Sequence, residues 1–312
     1  MTNLAPPPVG TPEPAAPDQL IEFGVAAESQ WKRVFRRFLR HRLAVISLVI
    51  LLILMLMSFF GSHIARYSYQ DLSRTDLSSH PSLKHWFGTD SIGHDTFAQV
   101  LRGSRRSLIV ALLVALISTT FGAMVGALAG YRGGFVDSAL MRFTDLFLTI
   151  PLIAILLVVA SRYKGKSGNW LALSFVIAAF AWMPLARVVR GSFLSLRERE
   201  FVESARALGA NGRRIVLRHL LPNSLGPIIV NATLLVGIAI ITETALSFLG
   251  FGIAPPDTSL GRLVAEAAPS SQTRPWLFYL PGLWLVLISL CINFVGDGLR
   301  DALDPQQNRV RA

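Results

Sequence analysis

At 312 residues, with 52% hydrophobic and only 16% charged residues, the chain lies well below the quarter-charged composition of soluble domains. Its net charge of +11 is concentrated beside apolar runs, a positive-inside pattern that argues against a nucleic-acid partner. The single cysteine, Cys291, excludes an internal disulfide and a thiol-based metal site.

Residues 1–30 are rich in Pro, Ala and small or acidic residues and read as a disordered cytoplasmic tail. The first apolar run comes too late for a secretory signal. Residues 31–62 hold a basic cluster (Lys32, Arg33, Arg36, Arg37, Arg40, Arg42) and then the first span, Leu43–Phe60, which is long enough at 1.5 Å per residue to cross roughly 30 Å of hydrocarbon. The cluster places the N-terminus inside. Residues 63–104 form an extracytoplasmic loop, and residues 105–301 carry five further spans. These read as Ser107–Gly130, Asp137–Ala160, Trp170–Val189, Asn223–Phe251 and Trp276–Gly296. A short cytoplasmic tail, 302–312, follows, so both termini lie inside. The expected fold is an all-α integral membrane protein of six transmembrane helices.

Within the second span, Gly122, Gly126 and Gly130 recur every four residues, a small-residue face that lets two helices approach closely. Pro151 and Pro184 interrupt the third and fourth spans, as is tolerated beside a water-lined cavity or a neighbouring helix. Acidic residues within spans are costly, so Asp145 and Glu243 must each face protein, water or a partner. A path-lining or gating role and an interhelical hydrogen bond or ion pair are both open for them.

Between spans four and five runs a charged segment, Arg197–Asn223. Phe201, Val202, Ala205 and Leu208 share one face of a short helix, Gly209 and Gly212 bracket a turn, a second helix begins near Ile215, and Pro222 starts a new segment. Eight arginines between Arg187 and Arg218 place it in the cytoplasm. As a DNA reader it lacks a core of its own; as an interfacial helix on membrane lipid it leaves Gly209 and the turn unexplained.

Gly165-Lys166-Ser167 ends a loose phosphate-loop pattern, but no strand precedes it and topology puts it outside. His80, His85, Asp90, His94 and Asp95 cluster in the outer loop without a metal-ligand spacing and read as solvated residues. No arrangement suited to catalysis stands out.

Glu203-Ser-Ala-Arg-Ala-Leu-Gly209, followed by Leu221-Pro222, resembles the "EAA" loop of bacterial ABC importer permeases, with Ser204 in place of the usual Ala and His219 in place of Ile. Phe87-Gly-Thr-Asp-Ser-Ile-Gly-His-Asp95 is similar to the outer-loop signature of the peptide/nickel permease group, with His94 at the usual Arg. Ala129–Asp137, Leu246–Gly252 with Pro255-Pro256, and Gly296–Pro305 fit the same group, specifically the C-type subunit of dipeptide and oligopeptide importers. The resemblance implies a type I permease fold whose cytoplasmic coupling helix docks on an ATPase through Glu203, Ser204, Ala205, Ala207, Leu208, Gly209, Ala210 and Pro222. It implies a B-type second permease, two ATPase domains holding ATP and Mg, an extracytoplasmic binding protein, no cofactor on this chain, and a peptide cargo. Cargoes of the same group (a nickel chelate, haem, a glycan fragment) stay open. An ion-gradient-driven carrier is the competing class, but the sequence shows no paired set of broken helices in two halves.

Overall fold

Proline and glycine placement decides where the apolar runs break. The computed structural model describes residues 30–164 and 169–303, so the tails and Gly165-Lys166-Ser167 lie outside the described residues. The elements are α1 (Gln30–Arg40), α2 (Arg42–Phe59), α3 (Gly61–Ile64), α4 (Thr96–Arg132), α5 (Gly134–Leu148), α6 (Leu152–Ala160), α7 (Asn169–Ala181), α8 (Met183–Arg197), α9 (Glu200–Ala207), α10 (Gly212–Ile215), α11 (Leu221–Phe248), α12 (Leu260–Ala267) and α13 (Pro275–Leu303). Among the described residues four stretches are long and apolar enough to cross a membrane, and six if each of two bent pairs forms one span.

The expected third span is bent by 80° between α5 and α6. Pro151 has no N–H for the carbonyl of Phe147, and it forces Ile150 away from helical geometry, so the helix stops. Pro184 has a milder effect. It sits in the first turn of α8, where an N–H has no intrahelical partner anyway, and the α7–α8 bend is 40°.

The second span begins eleven residues before the expected Ser107. Asp95 caps α4 by accepting from the backbone N–H of Ala98 at 2.8 Å. Arg102, Arg105 and Arg106 gave this first stretch its loop-like look, yet each is accommodated. Asp257 pairs with Arg102 at 2.9 Å and with Arg106, and the three guanidinium groups lie 4.6–5.6 Å from the rings of Tyr69, Phe59 and Trp170. At 37 residues α4 is about 55 Å long at 1.5 Å per residue, so it links the two ends of the bundle.

The glycine stripe of α4 seats α8. A Cβ at Gly126 would lie 2.4 Å from the carbonyl oxygen of Ala186, one at Gly122 2.7 Å from that of Trp182, and one at Gly130 2.6 Å from Cβ of Phe193. Only glycine admits backbone at that distance. Around this pair α2, α7, α11 and α12 pack on α4, and α13 packs against α2, α11 and α12. Phe38 of α1 is buried with Ala44 and Ala302, which ties the basic helix to the end of α13.

Pro222 does not start a new segment. An unbroken helix runs from Gly212 to Phe248, with a π turn at Val216–Leu220 just before the proline. That wider turn takes up the donor that Pro222 lacks, so α10 and the fifth span are one rigid rod.

Candidate functional site

The segment from Arg199 to Asn211 folds by its own signals. Arg199 is extended, and Glu200 and Glu203 place negative charge in the first turn of α9, where the helix dipole favours it. At the other end Gly209 takes φ +79°. Its N–H bonds to the carbonyl of Arg206 at 2.9 Å, and Ala210 N–H bonds to that of Ala205 at 3.0 Å. This pair of bonds is the Schellman closure, and the left-handed residue within it favours glycine. Asn211 then caps the next helix through Oδ1, which accepts from Arg214 N–H at 2.9 Å.

The four apolar positions expected on one face divide. Val202 (0% exposed) and Ala205 turn inward, whereas Leu208 is 87% exposed and Phe201 is also exposed. The difference arises because Leu208 is the C-cap residue and no longer follows the helical repeat. Val202 packs in a cluster with Leu185, Val189 and Phe193 of α8, and with Ile215, Leu220 and Ile228 of the long rod. Tyr131, at the end of α4, borders the same cluster, and its hydroxyl would lie 2.6 Å from a Cβ at Gly212. Arg197 donates to the carbonyl of Gly130 at 3.3 Å. The inner side of α9 is thereby keyed to α8 and the long rod, with the end of α4 bordering the same cluster.

Its outer side carries Glu203, Ser204, Ala207, Leu208 and Gly209, with Ala210 half-buried and Pro222 exposed nearby. Ala205 is therefore a support of the helix, not part of its open face. His219 lies within 6.4 Å of Phe201, ring to ring, and its carbonyl accepts from Asn223 Nδ2 at 2.6 Å.

Asp145 and Glu243 are kept apart from each other and from the apolar cavity between the helices. That cavity, about 430 Å3, is walled by the α5–α6 break (Phe147, Pro151) and by Asn231, Leu235 and Thr242 of α11. Asp145 pairs with Arg187 across α5 and α8 in an exposed position. Glu243 is fully buried: Ser247 Oγ donates to it at 2.7 Å and Ser107 Oγ at 3.2 Å, while Ser107 also accepts from Leu260 N–H at 3.3 Å. Both carboxylates join helices, and neither lines the cavity. Two further ties were not picked out from the sequence. Arg190 holds Asp137, with one contact of 2.6 Å, and Asn169 clamps the carbonyl of Gly252 and the N–H of Ala254 at 2.8 and 2.9 Å.

The outer-loop residues are not simply solvated. His85 and Asp95 are buried and 2.8 Å apart, with Tyr67 stacked on the imidazole at 4.7 Å. Asp90 accepts from the backbone N–H groups of Ile92, Gly93 and His94, closing a tight turn. These residues were legible as a cluster, but neither their pairing with one another nor the backbone groups the acids hold shows in sequence spacing. Among the described residues no group of three or more His, Cys, Asp and Glu is arranged to hold a metal.

Residues 122–309 match the family described as binding-protein-dependent transport system inner membrane component, and residues 29–81 match the N-terminal TM domain of oligopeptide transport permease C. The oligopeptide transport system permease protein OppC of Mycobacterium tuberculosis is 47% identical over 278 residues, 89% of this chain and 95% of that one. OppC of Escherichia coli K12 is 41% identical over 284 residues, covering 90% and 93%. The dipeptide transport system permease protein DppC of Alkalihalophilus pseudofirmus is 36% identical over 300 residues, covering 96% and 97%. A chain of the MetNI methionine ABC transporter, solved in inward-facing conformations, shares the fold with a TM-score of 0.53 at 20% identity, over 66% of this chain and 96% of that one. The chain is thus a multi-pass inner-membrane protein that belongs to the OppC/DppC family of transport permeases.

Proposed function

We propose that this chain is the C-type membrane subunit of an ATP-driven importer of di- and oligopeptides. One observation carries the reading: α9 offers an exposed tip, Glu203 to Gly209, while its inner side is packed on α8 and the Gly212–Phe248 rod. A load applied at Leu208 passes through Val202 into α8 and the Gly212–Phe248 rod. Packed cores respond to such a load by switching between discrete arrangements. The partner at the tip is an ATPase domain, one of two, which holds the ATP and Mg. A B-type permease completes the membrane unit, and an extracytoplasmic binding protein delivers the cargo.

In this reading both termini are cytoplasmic, α9 lies on the cytoplasmic side, and α4 begins on the outer side. Cargo passes along the apolar cavity beside the α5–α6 break, which Thr149 and Ile150 line. Closure of the ATPases on ATP pushes α9 and favours an outward-open path; hydrolysis resets it. The Asp145–Arg187 and Glu243–serine contacts hold helices in register during that movement.

Uptake of a labelled peptide by proteoliposomes carrying the whole complex tests this. Uptake stops when ATP is depleted with the ion gradient intact. Uptake that continues without ATP would sink the reading in favour of a gradient-driven carrier.

A further inference from the structure

At the end of α4 remote from α9, a cavity of about 660 Å3 opens among the outer loop, the start of α4, the turn at Pro255–Thr258, α12 and the start of α13. Small-molecule sites span roughly 300–1,000 Å3, so it has room for a short ligand.

The charges of its wall are almost all committed. Asp257 is taken by Arg102 and Arg106, Glu266 pairs with Arg262 at 2.7 Å, and Asp90 is held by its turn and by His94 at 2.9 Å. Arg274, half-buried in the wall, is the one lining cation without a side-chain partner among the described residues. An uncommitted guanidinium in a recess favours a carboxylate over a neutral group, and it can bind one through two parallel N–H donors.

Thr96 is a second, independent sign of a ligand. It lines the same cavity at 5% exposure, and its Oγ1 has no hydrogen-bond partner among the described residues. A buried hydroxyl left unpaired is costly, and a ligand's polar group is one way to satisfy it. Two carboxamides add acceptors. Gln70 and Gln99 direct Nε2 to Tyr69, at 3.0 Å to its hydroxyl and 2.8 Å to its carbonyl, and among the described residues nothing donates to their own carbonyl oxygens. One cation, one hydroxyl and two acceptors, set beside apolar Leu263 and Leu277, match a short peptide: a terminal carboxylate, backbone polar groups and a side chain.

We propose that this cavity is a peptide subsite on the permease itself, in which Arg274 binds the C-terminal carboxylate and Thr96, Gln70 and Gln99 take up backbone polar groups. The inference rests on the peptide-importer reading and adds to it a substrate contact at the outer end of this chain.

The test uses the assembled transporter in lipid nanodiscs, without the soluble binding protein, titrated with tri-alanine and with tri-alanine amide by calorimetry. Tri-alanine is expected to bind saturably and the amide at least about tenfold more weakly, as for loss of a charge-assisted pair. Arg274→Gln should erase that difference, Arg274→Lys should keep part of it, and Thr96→Val should weaken both ligands together. An unchanged thermal midpoint in Arg274→Gln establishes that the fold is intact. Equal affinity for acid and amide, wild-type affinity in a folded Arg274→Gln, or no saturable binding at all would overturn the subsite. ATP-driven peptide uptake is measured in parallel with the same wild-type complex in proteoliposomes, supplied with its binding protein. Uptake without binding sinks the subsite alone, whereas absence of peptide uptake sinks the importer reading beneath it.

Discussion

Val202→Ala isolates the mechanical link from the docking surface, because Val202 is fully buried and the exposed tip of α9 is untouched. The change removes two methyl groups from the cluster formed with Phe193, Ile215 and Leu220. At about 0.8 kcal/mol per buried carbon, plus the cavity left in a packed core, the loss is about 2 kcal/mol. That lowers the equilibrium constant for seating α9 on its helices by about thirtyfold. ATPase assembly should be normal, since Glu203, Ser204 and Leu208 keep their exposure, while transmission slackens. The assay is peptide imported per ATP hydrolysed in proteoliposomes, and the ratio should fall several-fold with hydrolysis retained. An unchanged ratio in a variant whose thermal midpoint has dropped would refute the idea that this cluster carries the load.

Gly209→Arg should insert and fold, because a Cβ there meets nothing among the described residues within 4 Å and the φ of +79° costs about 1–2 kcal/mol. Uptake should nonetheless be abolished, and normal transport by that variant would contradict docking at this turn. Gly126→Val forces α4 from α8, because its Cβ would lie 2.4 Å from a backbone oxygen; a loss of about 1–3 kcal/mol should appear as a lower thermal midpoint. Glu243→Leu leaves Ser247 and Ser107 without their acceptor and should cost about 2–4 kcal/mol, whereas Glu243→Gln, which keeps an acceptor oxygen, should cost much less. In the outer loop, the hydrogen bond from Lys84 holds the Asp76 carboxyl below its ordinary 3.8, and Asp76 raises Lys84 above 10.5. Because the acid is depressed and the amine raised by folding, the pair stabilises the loop between those two values. Its contribution fades as pH falls through the lowered value of Asp76 or climbs through the raised value of Lys84. The difference in unfolding midpoint between wild type and Lys84→Ala should therefore vanish in strong acid; a difference that persists there would contradict the assignment.

Apolar periodicity and flanking charge made the helical, membrane-spanning class readable, because a bilayer demands long apolar runs whatever their partners. The glycine stripe was readable for the same reason: Gly122, Gly126 and Gly130 repeat at the period of one helix face, and α8 occupies that face. What the sequence hid were features that depend on a distant partner. The start of α4 at Thr96 hinges on Asp257, far along the chain, which neutralises Arg102 and Arg106. The continuity through Pro222 hinges on a π turn that carries no residue signature. At α9 the glycine turn was legible from Gly209, but the inward turn of Ala205 and the exposure of Leu208 follow from where the helix ends and what packs beneath it. Glu243 could be flagged as costly, yet its serine partners come from α4 and its own helix, and only the packing brings them together.

Leu208 is the most exposed apolar residue on α9, so the central claim can be tested at its tip. With Leu208→Cys in the assembled complex, a short bifunctional cross-linker should join this chain to an ATPase subunit, and the yield should change when ATP is added. A Leu208→Cys variant that imports peptide normally yet never cross-links to an ATPase, with or without ATP, would contradict the claim that this helix receives the transporter's energy.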